Sequence, residues 1–270
     1  MKKLHILIPA ILLSVFMATS CLSTTTVDGI AGNSRQQLLI FSPVMVEHSS
    51  QLSYEQVISE AKSNGTLNQN AAQVKRVQAI ANRLIEQTKL FRSDAINWDW
   101  QINVITDKTI NAWCLPGGRI VVYTGLLDTL KLTDSELAAV LGHEISHALR
   151  EHSREQMSHQ LITELGTNAI TKLLRMDKTG REIISLGADL ILNLPFSRSQ
   201  ETEADNFGTE LMARAGYNPY DATNLWTKMN TLTRSTTPEF LSTHPSNDSR
   251  ISNLNYIAAK VYPLYEAVKK

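Results

Sequence analysis

The stretch LGHEISHALREH has histidines and an acid at a spacing that suits a metal site. His143 and His147 are four residues apart, and Glu144 follows the first of them. On an α-helix, which turns about 100° per residue, these two histidines point within about 40° of each other, one turn apart. Two such imidazoles can share one tetrahedral zinc ion, with Glu144 to the side, close to a water at the metal. The motif therefore favours a zinc site, and a third ligand would decide it.

Two further histidines follow the pair in the sequence. His152 and His159 are out of register with His143 and His147 on a helix, so they point away from the predicted metal. We expect both side chains to be solvated.

The segment SRSQETEADNFG offers a third ligand. Ser197 and Gln200 have the spacing of a capping box, which predicts a helix start. Glu201 and Asp205 then lie one turn apart on one face of that helix, and Glu203 points elsewhere. We predict that Glu201 binds the metal and that Asp205 accepts a hydrogen bond from the ring nitrogen of His143 that points away from the metal. Standing alone, these acids would indicate only a solvated charged face.

The elements that carry these residues follow from hydrophobic periodicity and turn signals. Thr133 and Glu136 form a second capping box, and the apolar stripe after it predicts a buried helix that bears the histidines. Upstream, apolar residues recur at helical spacing over 71–90, and the segments WDWQINVITD and GRIVVYTG are typical of strands. The chain is therefore predicted to be α+β.

The amino terminus has the features of a secretory leader. Lys2 and Lys3 precede an apolar run that is too short to span a bilayer, and small residues lead to Cys21. The segment Ala18–Cys21 resembles a lipobox, in which the cysteine is acylated, although an ordinary signal peptidase would also accept it. We expect a lipoprotein-type signal peptide over 1–20, a tether with little regular structure over 21–50 and one zinc-binding domain over 51–270. The localisation would be an outer-membrane lipoprotein of the periplasm, or alternatively a soluble periplasmic protein.

The balance of charged side chains bears on the kind of partner that the protein can bind. The chain has 26 basic and 26 acidic side chains, and removal of the leader would leave 24 against 26. Such a balance provides no strong positive field for phosphates, which argues against a nucleic-acid partner.

The chain has two cysteines. If Cys21 carries lipid, Cys114 is the other cysteine. We expect it to be a small buried residue without a disulfide partner.

Four segments in order, NAWCLPGGRIVVYTGLL, LGHEISHALREH, SRSQETEAD and HPSNDSRI, resemble metallopeptidase family 48. This family includes the CAAX prenyl endopeptidases, HtpX and the Oma-type proteases. The resemblance implies a zincin-like (gluzincin) fold, mostly helical with a small twisted sheet beside the zinc helix. It also implies one zinc ion per chain, held by His143, His147 and Glu201, with Glu144 as the general base. Two late residues, His244 and Arg250, match a histidine and an arginine that lie beside the metal in the family.

The resemblance and the leader together predict a zinc endopeptidase of the bacterial cell envelope that acts on unfolded or misassembled proteins. His244 and Arg250 would stabilise the oxyanion of the reaction. An extended substrate would add as a strand to an exposed sheet edge formed by Gly118, Arg119, Ile120, Val121, Val122 and Tyr123.

Two other functions stay open on the sequence. The first is a periplasmic assembly factor or chaperone whose zinc site is latent because His244 occupies the position of the catalytic water. The second is a non-catalytic, zinc-stabilised binding lipoprotein, against which the intact Glu144 argues. No segment after the leader supplies the roughly 20 continuous apolar residues that a membrane-spanning helix needs.

Overall fold

A computed structural model describes residues 22–32, 35–173, 192, 195–232, 238–244 and 249–269. Helices dominate the described chain, and a two-stranded and a three-stranded sheet lie in its first half. The elements are β1 (Leu22–Ser23), β2 (Gln37–Leu38), α1 (Pro43–Ser63), α2 (Ala71–Ile85), β3 (Gln101–Ile105), β4 (Ala112–Leu115), β5 (Arg119–Tyr123), α3 (Thr124–Leu130), α4 (Asp134–Leu149), α5 (His152–Leu173), α6 (Arg198–Arg214), α7 (Asp221–Leu232), α8 (Phe240–Thr243) and α9 (Arg250–Val268).

Three strands form the larger sheet in the order β3, β5, β4, and β1 pairs with β2 in the other sheet. β5 is parallel to β3 and antiparallel to β4, so it is the central strand. The tight connection from β4 to β5 requires Gly117 and Gly118, whose φ values are 86° and 90°. These left-handed conformations cost a glycine little, whereas a side chain at 118 would also overlap the ring of Trp100.

The sheet is covered by helices on both faces. Ile120 and Val122 point to the main core, which contains α2 and α4, whereas Val121 between them packs with Tyr54 of α1. This alternation is the period of two that a strand imposes on its side chains. The result is a layer of sheet between α1 on one side and α2 with α4 on the other.

The central helix α4 begins where the sequence predicted. The Thr133 side chain accepts from the backbone N–H of Glu136, and the Glu136 side chain accepts from the N–H of Thr133. Every residue from Glu136 to Leu149 is buried, because α2, α6, α7 and β4 pack around the helix. A helix enclosed on all sides holds its polar side chains in fixed positions, which is what a metal site requires.

The segment before α1 differs from the expectation of little regular structure over 21–50. Its described residues 22–32 and 35–42, here called the N-terminal strap, form β1 and β2 and pack on the body of the protein. The buried guanidinium of Arg150 explains this, because it donates to the hydroxyls of Thr24 and Thr26 at 3.1 Å and to the carbonyl of Arg35 at 3.1 Å. A buried charge needs such acceptors, and the strap supplies them. Residues 43–50 already belong to α1.

The predicted fold class is confirmed: the chain is α+β and mostly helical, with its small sheet beside α4. Two details differ. The helix predicted over 71–90 ends at Ile85 and is followed by a 3-10 turn at Thr88–Leu90, and the sequence analysis missed β4. Within the described ranges, we find no helix with the length and apolar content to cross a bilayer. The leader and Cys21 lie outside the described residues and stay predictions.

Candidate metal centre

The Nε2 atoms of His143 and His147 point toward each other. Both lie on the buried face of α4 that meets α6, one turn apart, and their Nε2 atoms are 3.0 Å from each other. The capping box at Thr133 fixes where α4 starts and therefore which face the pair occupies. The geometry is the one that the four-residue spacing predicted.

Glu201 and His244 complete the cluster. The capping box of Ser197 and Gln200 starts α6, which places Glu201 in the first turn facing α4. Its carboxylate oxygens lie 3.4 Å from Nε2 of His147 and 3.5 Å from Nε2 of His143. Nδ1 of His244 lies 2.9 Å from Glu201 and 3.2 Å from Nε2 of His143. One atom from each of these four residues lies within 4.8 Å of the others.

Two glycines let α4 and α6 approach closely enough for this. A Cβ on Gly142 would lie 2.8 Å from the carbonyl oxygen of Gly208, and a Cβ on Gly208 would lie 2.7 Å from the backbone nitrogen of His143. Both contacts are with backbone, which cannot rotate away. The small residues therefore set the distance between the histidines and Glu201.

The cluster fits a zinc ion. Zinc bonds of about 2.0–2.1 Å in a tetrahedron place neighbouring ligand atoms roughly 3.3–3.4 Å apart, close to the 3.0–3.5 Å separations of His143, His147 and Glu201. Burial lowers the pKa of both histidines well below the ordinary value. Burial opposes ionisation of Glu201, yet His244 and His143 beside it bring its pKa well below the usual range. Neutral imidazoles and an ionised carboxylate are the forms that bind metal.

Asp205 and Arg250 support one side of the cluster. Oδ1 of Asp205 lies 2.9 Å from Nδ1 of His143, the contact that the sequence analysis expected. Burial raises the pKa of Asp205 to about 6, although Arg250 works against this shift. Arg250 donates to Asp205 and to Glu201 at 2.7 Å each, and its guanidinium lies 3.3 Å from the ring centroid of Trp226. The sequence analysis expected Arg250 to stabilise the oxyanion. These contacts indicate instead that Arg250 positions the carboxylates of Asp205 and Glu201.

His152 corrects the sequence analysis, which expected a solvated side chain. The ring is fully buried, with Nδ1 2.9 Å from Nδ1 of His147 and Nε2 3.0 Å from Oε2 of Glu203. The reason is the turn after α4: Glu151 has a φ of 50°, so the chain reverses and α5 begins with His152 facing back. The side chain of His159 is 57% exposed, as expected.

Glu203 points away from the Glu201 face, as expected, but it is buried and not solvated. Burial opposes its ionisation, yet hydrogen bonds from His152 and Arg35 hold its pKa at about 2. Arg150 also donates to its carboxylate. In the sequence, the only signals were a histidine five residues after His147 and an acid two residues after Glu201. Neither spacing by itself indicates a contact.

Glu144 lies buried beside the cluster, close to His244. Its side chain is buried, Oε1 accepts no hydrogen bond from the described part of the chain, and Nε2 of His244 lies 3.4 Å from that oxygen. Burial raises the pKa of Glu144 to about 7, with His244 acting in the opposite direction. A carboxylate with a pKa near neutrality can both accept and return a proton.

A cleft runs past Glu144 along β4. It is lined by Asn111, Ala112, Trp113, Cys114, Leu115, Glu144, His147, Ser153, Leu192, Phe196, Thr243 and His244. The Phe196 ring stacks on His147 at 3.9 Å between centroids, and Phe240 stacks on His244 at 4.4 Å. Cys114 is buried, as expected, and forms no disulfide within the part of the chain that the structure describes.

The predicted substrate strand, Gly118 to Tyr123, lies in the middle of its sheet and not at the exposed edge that the sequence analysis expected. β5 pairs with β3 on one side and β4 on the other, so its backbone has no exposed edge for a further strand. β4, which the sequence analysis did not identify, pairs with β5 on one side and lines the cleft on the other. Among the described strands, β4 is therefore the edge strand next to the cluster.

Comparison with known proteins finds metallopeptidases. The mitochondrial metalloendopeptidase OMA1 of Bos taurus is 32% identical over 245 residues, which are 86% of this chain and 46% of the bovine protein. The beta-barrel assembly-enhancing protease of Yersinia pestis is 29% identical over 199 residues, covering 69% of this chain and 39% of that protein. Metalloprotease LoiP of Escherichia coli is 28% identical over 208 residues, covering 74% and 77%.

The extent of these matches bears on what they show. The chain spans about half or less of the length of the OMA1 relatives that it matches. The model of peptidase family M48 matches residues 71–258, from the start of α2 into α9. This range contains the complete cluster and confirms the resemblance on which the sequence analysis relied. The chain therefore belongs to peptidase family M48.

Proposed function

We propose that the protein is a zinc-dependent endopeptidase that cleaves unfolded or misassembled proteins of the bacterial cell envelope. The observation that carries this proposal is the position of Glu144. Its carboxylate lies beside the cluster of His143, His147 and Glu201 and in the wall of a cleft along an edge strand. Membership of the M48 family and the metallopeptidase relatives support the same activity.

In this proposal, His143, His147 and Glu201 hold one zinc ion, which supplies Lewis acidity for attack on a peptide carbonyl. Glu144 takes the proton of the attacking water and returns it to the leaving amine, a task that suits a pKa of about 7. Burial keeps bulk water away from this carboxylate. Nε2 of His244 lies 3.4 Å from Glu144, and in this proposal it would donate to the oxyanion of the reaction.

The substrate would add as a strand to the free edge of β4. Main-chain hydrogen bonds to residues 112–115 would give affinity with little dependence on sequence. A folded protein rarely offers an extended segment for such pairing, so the enzyme would select unfolded chains. The name of the Yersinia pestis relative refers to the assembly of β-barrels, which agrees with misassembled envelope proteins as substrates here.

We further propose an outer-membrane location through a lipid on Cys21, with a soluble periplasmic form as the alternative. The support is the leader sequence alone. Cys21→Ala should release the protein from membranes, and mass spectrometry should find an acylated amino terminus in the wild type. An unmodified Cys21 would leave the soluble form.

Four variants test the catalytic proposal. His143→Ala, His147→Ala and Glu201→Ala should each lose zinc, because each removes a ligand, and Glu144→Gln should keep it. Glu144→Gln should also lose cleavage of casein, an unfolded substrate, while retaining the circular dichroism of the wild type. The proposal fails if Glu144→Gln cleaves casein at the wild-type rate, or if all four variants hold equal zinc by elemental analysis.

A second function is a periplasmic assembly factor with a latent site gated by His244. The observation in its favour is that Nδ1 of His244 lies as close to Glu201 and His143 as a fourth ligand would. His244→Ala would then raise casein turnover, measured at equal zinc occupancy. A purely catalytic His244 predicts instead a fall of about 100- to 1000-fold, the usual effect of losing one oxyanion donor.

A further inference from the structure

We infer that His152 and Glu203 form an outer relay that positions His147 as a metal ligand. The inference rests on the metal site of the proposed function, but it concerns residues to which neither the cluster nor the family match assigns a role. Four buried side chains carry it: His147, His152, Glu203 and Arg150.

The relay is a chain of hydrogen bonds with one consistent placement of protons. Nε2 of His147 faces the cluster, so a metal bound there leaves the proton of that ring on Nδ1. Nδ1 of His152, 2.9 Å away, must then accept a hydrogen bond from this Nδ1–H group, which puts the proton of the His152 ring on its Nε2. Nε2 of His152 in turn lies 3.0 Å from Oε2 of Glu203, which accepts a hydrogen bond from the Nε2–H group.

Glu203 is itself fixed by two arginines. Nε and Nη2 of Arg150 donate to Oε2 at 3.1 and 2.9 Å, and Nε of Arg35 donates to Oε1 at 2.5 Å. Arg150 is fully buried and is held in place by the N-terminal strap. The carboxylate therefore remains ionised and oriented toward His152.

The two metal histidines thus have different support. His143 contacts the carboxylate of Asp205 directly, whereas His147 contacts a carboxylate through His152. A carboxylate that accepts a hydrogen bond from the outer N–H of a ligating imidazole fixes the tautomer of that ring and raises its basicity. Loss of such a carboxylate typically weakens metal binding about 10- to 100-fold. His152 transmits this effect across one additional ring. It is a positioning residue, because it contacts neither the metal nor the substrate.

Two amide substitutions separate the halves of the relay. In His152→Asn, the amide oxygen takes roughly the place of Nδ1 and can still accept from His147. In His152→Gln, the longer amide can donate to Glu203 but leaves Nδ1–H of His147 without an acceptor. Zinc affinity, measured by competition with a chelator, should fall about 10- to 100-fold in His152→Gln and His152→Phe and clearly less in His152→Asn. The exposed His48, on α1, provides matched controls in His48→Asn and His48→Gln, which should bind zinc like the wild type.

Spectroscopy gives a readout that a purely structural histidine would not change. Long-range proton–nitrogen NMR spectra of the zinc-loaded wild type should show His152 as the Nε2–H tautomer. Equal zinc affinity of His152→Asn and His152→Gln, or an Nδ1–H tautomer of His152, would overturn the relay. If His152→Phe does not fold, the two amide variants still decide. Casein cleavage by the wild type is measured alongside: zinc binding without cleavage would refute the proposed function and leave the relay intact.

Discussion

Replacing Arg250 with glutamine is expected to destabilise the zinc-free protein strongly. Arg250 makes two charge-assisted hydrogen bonds of 2.7 Å, to Glu201 and Asp205, and only 4% of its surface is exposed. Removing it leaves two buried carboxylates without their cation.

The geometry allows an estimate of the loss. A hydrogen bond to a charged group contributes about 1.5–3 kcal/mol, so the two bonds together suggest roughly 3–6 kcal/mol. Breaking a buried ion pair by removal of one partner typically costs about 3–5 kcal/mol. We expect the free energy of unfolding to fall by about 4 kcal/mol in Arg250→Gln. Arg250→Lys should lose about half as much, because one ammonium retains the charge but cannot match the planar, two-pronged guanidinium.

Urea unfolding in the presence of a chelator measures these differences, with circular dichroism confirming that each variant folds. Arg198→Gln is the control, since Arg198 is exposed on α6 and such surface changes usually stay within about 0.5 kcal/mol. A loss below about 1 kcal/mol in Arg250→Gln, together with a large fall in casein turnover, would refute the positioning role. That result would instead support the role that the sequence analysis expected for Arg250, which is to stabilise the oxyanion.

Two further predictions concern the helix contact and the strap. Gly208→Ala should weaken zinc binding, because its Cβ would force α6 away from the backbone of His143, at about 1–3 kcal/mol of overpacking partly offset by higher helix propensity. Zinc competition compares it with the exposed Thr202→Ala, and equal affinities would contradict the prediction. For Glu155, burial opposes ionisation, but hydrogen bonds from Arg35, Gln37 and Gln200 lower its pKa below 4.5. Its contribution to stability is therefore present above pH 4.5 and is lost as the pH falls through the lower folded value. Glu155→Gln should be less stable than the wild type at neutral pH, and urea unfolding at several pH values should show the gap closing below pH 4.5. A gap that stays constant with pH would show that the Glu155 carboxylate does not titrate in this way.

Local signals in the sequence predicted the helices α4 and α6 and which of their residues share a face. Capping boxes at Thr133 and Ser197 predicted where α4 and α6 begin, and both are present. Helical periodicity then placed His143 beside His147 and Glu201 beside Asp205 on their faces. These relations are local, because they depend only on residues within one or two turns of a helix.

Only the tertiary structure decided which distant groups meet. β4 was missed because four residues with a cysteine and a tryptophan give little alternation, and its position at the sheet edge follows from pairing with β5. Arg250 contacts two carboxylates on α6 because α9 packs against that helix. No local pattern encodes such a contact.

His152 also shows that tertiary structure decided a contact, although His152 is only five residues from its partner His147. The sequence placed it out of register on a continued helix, which was a sound inference for that helix. A single residue in the left-handed conformation, Glu151, ends the helix and turns His152 back toward His147. A non-glycine residue with positive φ is uncommon and persists only where the surrounding packing compensates for its cost. Here the buried hydrogen bonds of His152, Arg150 and Glu203 form around that turn, so the tertiary contacts determine the local conformation.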